Sequence, residues 1–243
     1  MPQGRRKTVS NRPRRAGSRR HAELAAGIGM RILDGTYPPG TLLPNEAEWG
    51  RMFGASRTAV REAIKTLNGK GLLVSRPKVG SRVEPRERWN LLDRDVLAWH
   101  CAAMDKQAFL ISLQEVRRIL EPGAAFLAAK RRTPEQLAAL EEAADTMRRA
   151  TTAEEMVGPD VRFHLTLLAC ANNEILAPFG IVIEQALANF FDFTARHNAQ
   201  PENIAPMHAN VVRAIAASDA EGARRAMTAL LDDTDKVISE PSR

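Results

Sequence analysis

Gly54-Ala55-Ser56-Arg57-Thr58-Ala59-Val60-Arg61-Glu62-Ala63 is the stretch on which the reading of this chain turns. Ser56 is an N-cap residue, and Phe53-Gly54-Ala55 before it makes a short turn. Val60, Ile64 and Leu67 recur at i, i+4 and i+7, which is one apolar stripe of a helix. Arg57, Thr58, Arg61 and Lys65 share the adjoining exposed arc. Upstream, Asn45 followed three residues later by Glu48 is a capping pattern, and it opens a second short helix through Trp49 and Met52. Two short helices around a glycine turn, the second basic at its start, predict a helix-turn-helix for the major groove. A solvated surface helix is the competing reading, because one such motif is weak by itself.

The residues that follow favour DNA. Leu72-Leu73-Val74-Ser75 and Ser81-Arg82-Val83 read as strands around the basic turn Arg76-Pro77-Lys78-Val79-Gly80. Such a wing reaches the minor groove beside a recognition helix.

Residues 22–84 resemble, in order, the winged helix of the GntR family of bacterial transcription regulators. The matching residues are Ile28 and Ile32-Leu33-Asp34-Gly35-Thr36-Tyr37-Pro38-Pro39-Gly40, then Leu43-Pro44-Asn45-Glu46, then 56–63, Lys70-Gly71-Leu72 and Gly80. The resemblance implies DNA contacts at Ser56, Arg57, Thr58 and Arg61, with wing contacts near Lys78 and Gly80. Lys65 joins them from its place on the exposed arc. Some members carry a DNA-contacting arginine where this chain has Ala47, so operator preference does not transfer from them.

At 243 residues the chain has room for a second domain of about 150 residues. Residues 1–20 hold eight Arg/Lys and no acid, whereas the chain as a whole has 35 basic and 29 acidic residues. A basic N-terminal part on an acidic body suits a nucleic-acid reader joined to a domain of another purpose. The expected divisions are a basic disordered tail at 1–20, a winged helix-turn-helix at 21–84, a linker at 85–92, and an all-helical effector-binding and dimerisation domain at 93–238. Trp89-Asn90-Leu91-Leu92 is expected to pack between the domains. The tail has no apolar segment of a secretory signal, and no apolar run approaches about 18 residues. The expectation is a soluble, cytoplasmic protein without membrane partners. Cys101 and Cys170 lack pairing or metal-type spacing and read as reduced thiols.

From about Asp93 the sequence is alanine-rich and 3.6-periodic, without strand signals. It breaks at Thr133-Pro134, Gly158-Pro159, Ala177-Pro178, Pro201 and Ser218-Asp219, which predicts an antiparallel bundle of six or seven helices. Polar residues interrupt its inward stripes. Asp160 and His164 share a stripe with Phe163, Leu167, Leu168 and Ala171. His208 lies with Val211, Val212 and Ile215, and Arg117 with Leu110, Leu113, Leu120 and Ala124. Buried unpaired, each would cost several kcal/mol, so they should meet one another, a metal or an anion. Taken singly, Asp160 beside Pro159 fits a helix start, His208 fits a hydrogen-bonded core imidazole, and Arg117 fits an ion pair with Glu121.

The same region, residues 90–238, resembles the FCD effector domain of the FadR-like branch of the GntR family. Asp160-Val161-Arg162-Phe163-His164, Glu115-Val116-Arg117 with Glu121-Pro122, Asn172-Asn173, and His208 with Ala214-Ile215 and Asp219 carry the match. The resemblance implies a divalent metal on Asp160, His164 and His208, and an acidic metabolite held by Arg117 and Asn173. Zinc is the expected ion, with nickel, manganese or iron also compatible. Members with a full site carry a further histidine about 22 residues after the last of these, where this chain has Leu230. The stretch Arg88 to Trp99 is most similar to repressors of galactonate and related sugar-acid operons. The implied protein is a homodimeric repressor on a palindromic operator, released by a small carboxylate such as a hexonate. Two other readings stay open: a metalloenzyme on the same ligands, for which no general base is evident, and a metal-free sensor in which Arg117 holds another organic acid or an acyl-CoA.

Overall fold

A computed structural model describes residues 14–196 and 204–239. The expected tail falls largely outside the described residues, but α1 already starts at Arg14 and runs to Leu33, so 14–20 are helical. The chain separates into two compact units, Met1–Ala103 and Met104–Arg243.

In the first unit α1 is followed by α2 (Glu46–Phe53) and α3 (Arg57–Gly69). Asn45 caps α2 as expected: its side chain accepts from the Ala47 and Glu48 amides, and Glu48 reaches back to the Asn45 amide at 2.7 Å. Gly54 ends α2 in the left-handed region at φ 60°, which lets Ser56 cap α3 immediately afterwards by accepting from the Ala59 amide. Val60, Ala63, Ile64 and Leu67 face inward onto Ile28, Ile32 and the fully buried Trp49, which packs edge-on against Tyr37. Strands β1 (Leu73–Arg76) and β2 (Gly80–Val83) pair antiparallel, Leu73 opposite Val83 and Arg76 opposite Gly80. Residues 40–43 add a short third edge through Leu43 N to Ser81 O and Val83 N to Thr41 O. The fold is the expected winged helix plus an all-helical body.

The segment 85–92 is part of this unit. Trp89 is buried in the winged-helix core, while Leu91 and Leu92 are exposed. The Asn90 amide donates to Lys70 O, and Lys70 Nζ reaches Asp93 at 2.6 Å and Asp95 at 2.9 Å. Helix α4 (Arg94–Ala103), expected to open the second domain, packs on α1 and buries Val96 in the same core. The reason is apolar cover from a distant segment: Trp89 and Val96 join the winged-helix core, and Trp99 stands against Gly29 of α1.

The second unit holds, among the described residues, α5 (Lys106–Arg131), α6 (Pro134–Arg149), α7 (Ala153–Cys170), α8 (Gly180–Arg196), α9 (Ile204–Ala216) and α10 (Ala220–Ser239). Thr133 and Gln136 form the capping box that starts α6, and the turn at Ser218-Asp219 separates α9 from α10. No break occurs at Gly158-Pro159. Helix α7 runs through Pro159, because Asp160, Phe163, His164 and Leu167 all find buried partners on one continuous stripe. The expected break at Pro201 lies outside the described residues. Glu174–Ala195 is apolar enough by composition to cross a membrane, yet it is a 3-10 turn followed by α8, whose Val182, Ile183, Ala186 and Leu187 are buried in this unit.

Gly71 holds the junction between α3, β1 and the 85–92 segment. It sits at φ +75°, and an added Cβ would stand 2.2 Å from Arg88 O. Gly71→Ala should therefore cost about 2 kcal/mol or more, from left-handed strain and the forced shift of backbone. Thermal unfolding of the variant should show a lowered first-unit transition, and an unchanged midpoint would remove the junction from this role.

Candidate functional site

The exposed face of the first unit brings the expected DNA residues together. Arg57, Thr58, Arg61 and Lys65 project from α3, exposed to solvent. Arg61 and Lys65 line one groove with the wing residues Arg76, Val79 and Gly80. The wing turn holds Lys78 at φ 63° and Gly80 at φ 107°, both exposed. Ser56 is exposed and already committed to its cap. The wing is tied to α3 by Asn68 Nδ2 donating to Ser75 Oγ at 3.0 Å, with Ser75 Oγ 2.8 Å from Ser81 Oγ. Glu46 was not singled out by the sequence. It bridges α2 to α3 by accepting from Arg61 Nε at 3.4 Å and Nη2 at 3.3 Å. No sequence spacing signals this contact, because the helix crossing angle creates it.

In the second unit, α5, α7 and α9 bring Arg117, Asp160, His164 and His208 to one point, each no more than 3% exposed. The helical periodicity explains why they point inward: each occupies a core position on an otherwise apolar stripe. His208 Nε2 lies 3.0 Å from Asp160 Oδ1 and 3.2 Å from His164 Nε2, and the third edge of the triangle, His164 Nε2 to Asp160 Oδ1, is 3.8 Å. Ligand atoms about 2.1 Å from a tetrahedral ion stand about 3.4 Å apart. The three edges therefore fit the donor set of one metal ion, two imidazoles and a carboxylate. His164 Nδ1 is 2.7 Å from Glu121 Oε2, a contact that directs the Nδ1 proton to the carboxylate and leaves Nε2 as a lone pair.

Glu121 is fully buried and is the group that the sequence undervalued. Besides His164 it accepts from Arg117 Nε at 2.7 Å. The i, i+4 spacing to Arg117 was visible in the sequence, but the contact to His164 on α7 was not. Arg117 also donates to Gln114 Oε1 at 3.1 Å, and Gln114 Nε2 is buried with no partner among the described residues. An unmatched buried amide of this kind costs about 1–3 kcal/mol. Asn173 does not join this cluster. It is exposed and caps the 3-10 turn Glu174–Phe179 by accepting from the Ile175 amide.

These groups line a cavity of about 20 Å³. Its polar lining is Arg117, Asp160, His164, His208, Asp233 and Thr234. Leu187, Phe190, Met207 and Leu230 make the apolar remainder, so the position of the missing histidine is indeed on the wall. One water-sized probe needs about 10–15 Å³, so the cavity in this conformation admits an ion or a water and not a sugar acid.

Residues 21–83 match the family model "Bacterial regulatory proteins, gntR family", and residues 112–233 match the FCD domain. The chain belongs to the GntR family of bacterial regulatory proteins. Among its relatives, the Escherichia coli K12 HTH-type transcriptional regulator YieP is 35% identical over 88% of this chain and 93% of its own length. The galactonate operon transcriptional repressor of the same organism is 30% identical over 88% of this chain and 94% of its own. Of solved structures, a Streptococcus agalactiae GntR protein aligns with a TM-score of 0.51 at 25% identity, covering 89% of this chain and 99% of that one. This GntR-family chain is thus a transcription regulator of the FCD type, related to repressors of sugar-acid operons, and not an enzyme.

Folding shifts the titration of Glu121, Asp160 and His164 in the buried cluster of this GntR protein. Burial acts to raise the Glu121 carboxyl, but the Arg117 charge and the hydrogen bonds from His164 and Arg117 outweigh it and hold it at about 2. Burial lowers the His164 imidazole, and the Arg117 charge adds to that against the opposing pull of Glu121. A carboxyl depressed by folding stabilises the protein above its ordinary value of 4.5, and this is lost as pH falls toward about 2. An imidazole depressed by folding lets the unfolded chain take up a proton first, so stability also falls below its ordinary 6.5. Both effects have the same sign. Chelator-treated protein should lose thermal stability progressively between pH 7 and pH 3, and Glu121→Gln should shrink the more acidic part without removing it, because the Asp160 carboxyl is also held down, against burial, by His208. A midpoint flat from pH 7 to pH 5 would contradict the neutral buried imidazole.

Proposed function

We propose that this regulator is a homodimeric repressor that binds a palindromic operator and is released by a small hydroxy acid held at a divalent metal in the second unit. The observation that carries the proposal is the triangle of Asp160, His164 and His208, whose 3.0, 3.2 and 3.8 Å edges suit one ion. Zinc fits two imidazoles and one carboxylate best; nickel, manganese and iron tolerate the same donors. With Leu230 in place of a further histidine, coordination positions stay open. A bound divalent ion supplies positive charge and open positions for carboxylate and hydroxyl oxygens. The role of one relative, repression of a galactonate operon, supports a sugar acid as the inducer.

The metal also answers a difficulty of charge. Arg117 is the fixed cation of the cavity lining, and its guanidinium is already engaged by Glu121, Gln114 and His164. An anion brought to it without further positive charge would meet Glu121 and Asp160 as well. This disfavours the metal-free reading. The small cavity supports linkage between ligand and conformation, because an organic acid must move the walls to enter. Only a ligand that binds the two conformations differently can shift the operator equilibrium.

On the DNA side, Arg57, Thr58, Arg61 and Lys65 contact the major groove, while Lys78 and Gly80 bring the wing to the adjacent minor groove. Glu46 holds the Arg61 guanidinium through two of its nitrogens. Each protomer of the dimer reads one half-site, and protein symmetry sets the half-site spacing.

Two experiments test the proposal. With an operator selected from random DNA, Arg57→Ala should lower affinity at least about tenfold, in the range of one lost bidentate base contact of about 1–3 kcal/mol. A footprint unchanged in that variant would overturn the contact. In a thermal-shift screen, an acid at about 100 times its Kd should add about 2.7 kcal/mol of stability in the presence of zinc. Chelator and His164→Ala should each abolish the shift. A shift indifferent to both would remove the metal from effector binding.

A further inference from the structure

The cavity lining is chemically unequal from one end to the other. At the sealed end lie Arg117, Asp160, His164 and His208, all at or below 3% exposure. Asp233 and Thr234, on α10, are only half-buried and mark its more open end. Asp232 and Asp235, on either side of Asp233, are both taken by Arg118 from α5. Among the described residues no cation is bonded to Asp233. Thr234 has spent its hydroxyl proton on Leu230 O at 3.1 Å. Among the described residues, the more open end therefore presents acceptors: a carboxylate without a cation partner and a hydroxyl oxygen whose hydrogen points elsewhere.

We infer that Asp233, with Thr234, is a specificity filter that admits acids with one carboxylate and a hydrogen-bond-donating far end, and rejects dicarboxylates. The inference rests on the proposed effector role of this cavity. A ligand enters only once the walls have opened, and with its carboxylate at the buried groups it carries its far end toward the less buried Asp233. A hydroxyl there donates to the carboxylate. A second carboxylate has no proton to offer, is drawn out of water without a donor, and stands beside a like charge. A site that pairs with a hydroxyl discriminates strongly against an analogue that leaves its polar group unmatched. Asp233 was not marked by any motif in the sequence; its place on the lining is a result of the packing of α10 on α5 and α9.

The test compares acids that differ only in a terminal CH2OH or COO− group: gluconate with glucarate, galactonate with galactarate, and glycerate with tartronate. Each is titrated calorimetrically into the zinc-loaded full chain, its Asp233→Asn variant and its His164→Ala variant. The expected result is that, for the pair that binds, the monocarboxylate is at least about tenfold tighter, or about 1.4 kcal/mol. Asp233→Asn should shrink that ratio below about threefold by strengthening the dicarboxylate, with an unfolding midpoint like that of the parent. A dicarboxylate that matches or exceeds its monocarboxylate partner in the parent protein overturns the filter. So does a ratio that Asp233→Asn leaves unchanged. The effector reading itself fails differently: an acid that binds His164→Ala as it binds the parent removes the metal from effector binding, and the filter, which rests on that reading, falls with it.

Discussion

The second unit is organised around a buried charge problem. Arg117, Glu121, Asp160, His164 and His208 are all but removed from water, and each can remain there only if the others are in reach. Three helices must therefore cross where these five side chains meet. The apolar stripes of α5, α7 and α9 would tolerate a small slide along one another, but the 2.7 Å contacts of Glu121 to both Arg117 and His164 would not. Such a cluster is poor as a source of stability and strong as a constraint on geometry. It holds two imidazole nitrogens and a carboxylate oxygen at separations that suit an ion, and it leaves a cavity too small for anything larger.

The first unit solves a simpler problem with local means. Caps at Asn45 and Ser56, and a left-handed Gly54 between the helices, set the turn that lets α3 expose its basic arc while burying Val60, Ile64 and Leu67. The wing is kept beside α3 by the Asn68, Ser75 and Ser81 contacts and by the third edge at 40–43. Lys70 and Gly71 then fasten the following segment and α4 to the same body. The DNA-reading surface is thus carried on a unit that extends to Ala103, beyond the 21–83 matched by the family model.

The two units express a common logic in different chemistry. On the outer face of α3 the positive groups stand in water, and among the described residues the exposed Arg61 is bonded by Glu46. In the cavity, the one lining guanidinium is buried and already bonded to Glu121, Gln114 and His164, so an anion brought there would need positive charge from outside the chain. An acid larger than the cavity can enter only with movement of its walls, which is the physical requirement of the proposed sensor.

Much of this was legible in the sequence because it depends on periodicity and caps, which are local. The recognition helix with its exposed Arg57 and Arg61, the wing, the helical second unit, and the inward placement of Arg117, Asp160, His164 and His208 all follow from spacings of two to eleven residues. The family resemblance pointed to Leu230 as the position where a further histidine is absent, and the structure puts that residue on the cavity wall. What only the tertiary structure decided depends on contacts between distant segments. Glu121 reaches His164 across 43 positions, Glu46 reaches Arg61 across 15, and α4 joins the first unit because Trp89 and Val96 find apolar cover there. Helix α7 continues through Pro159 because the core beside it accommodates the stripe, and Asn173 turns to a local cap away from the cavity. Asp233 carries no local signal of its own; its place on the lining comes from how one helix lies against two others, and a sequence pattern holds no record of that crossing.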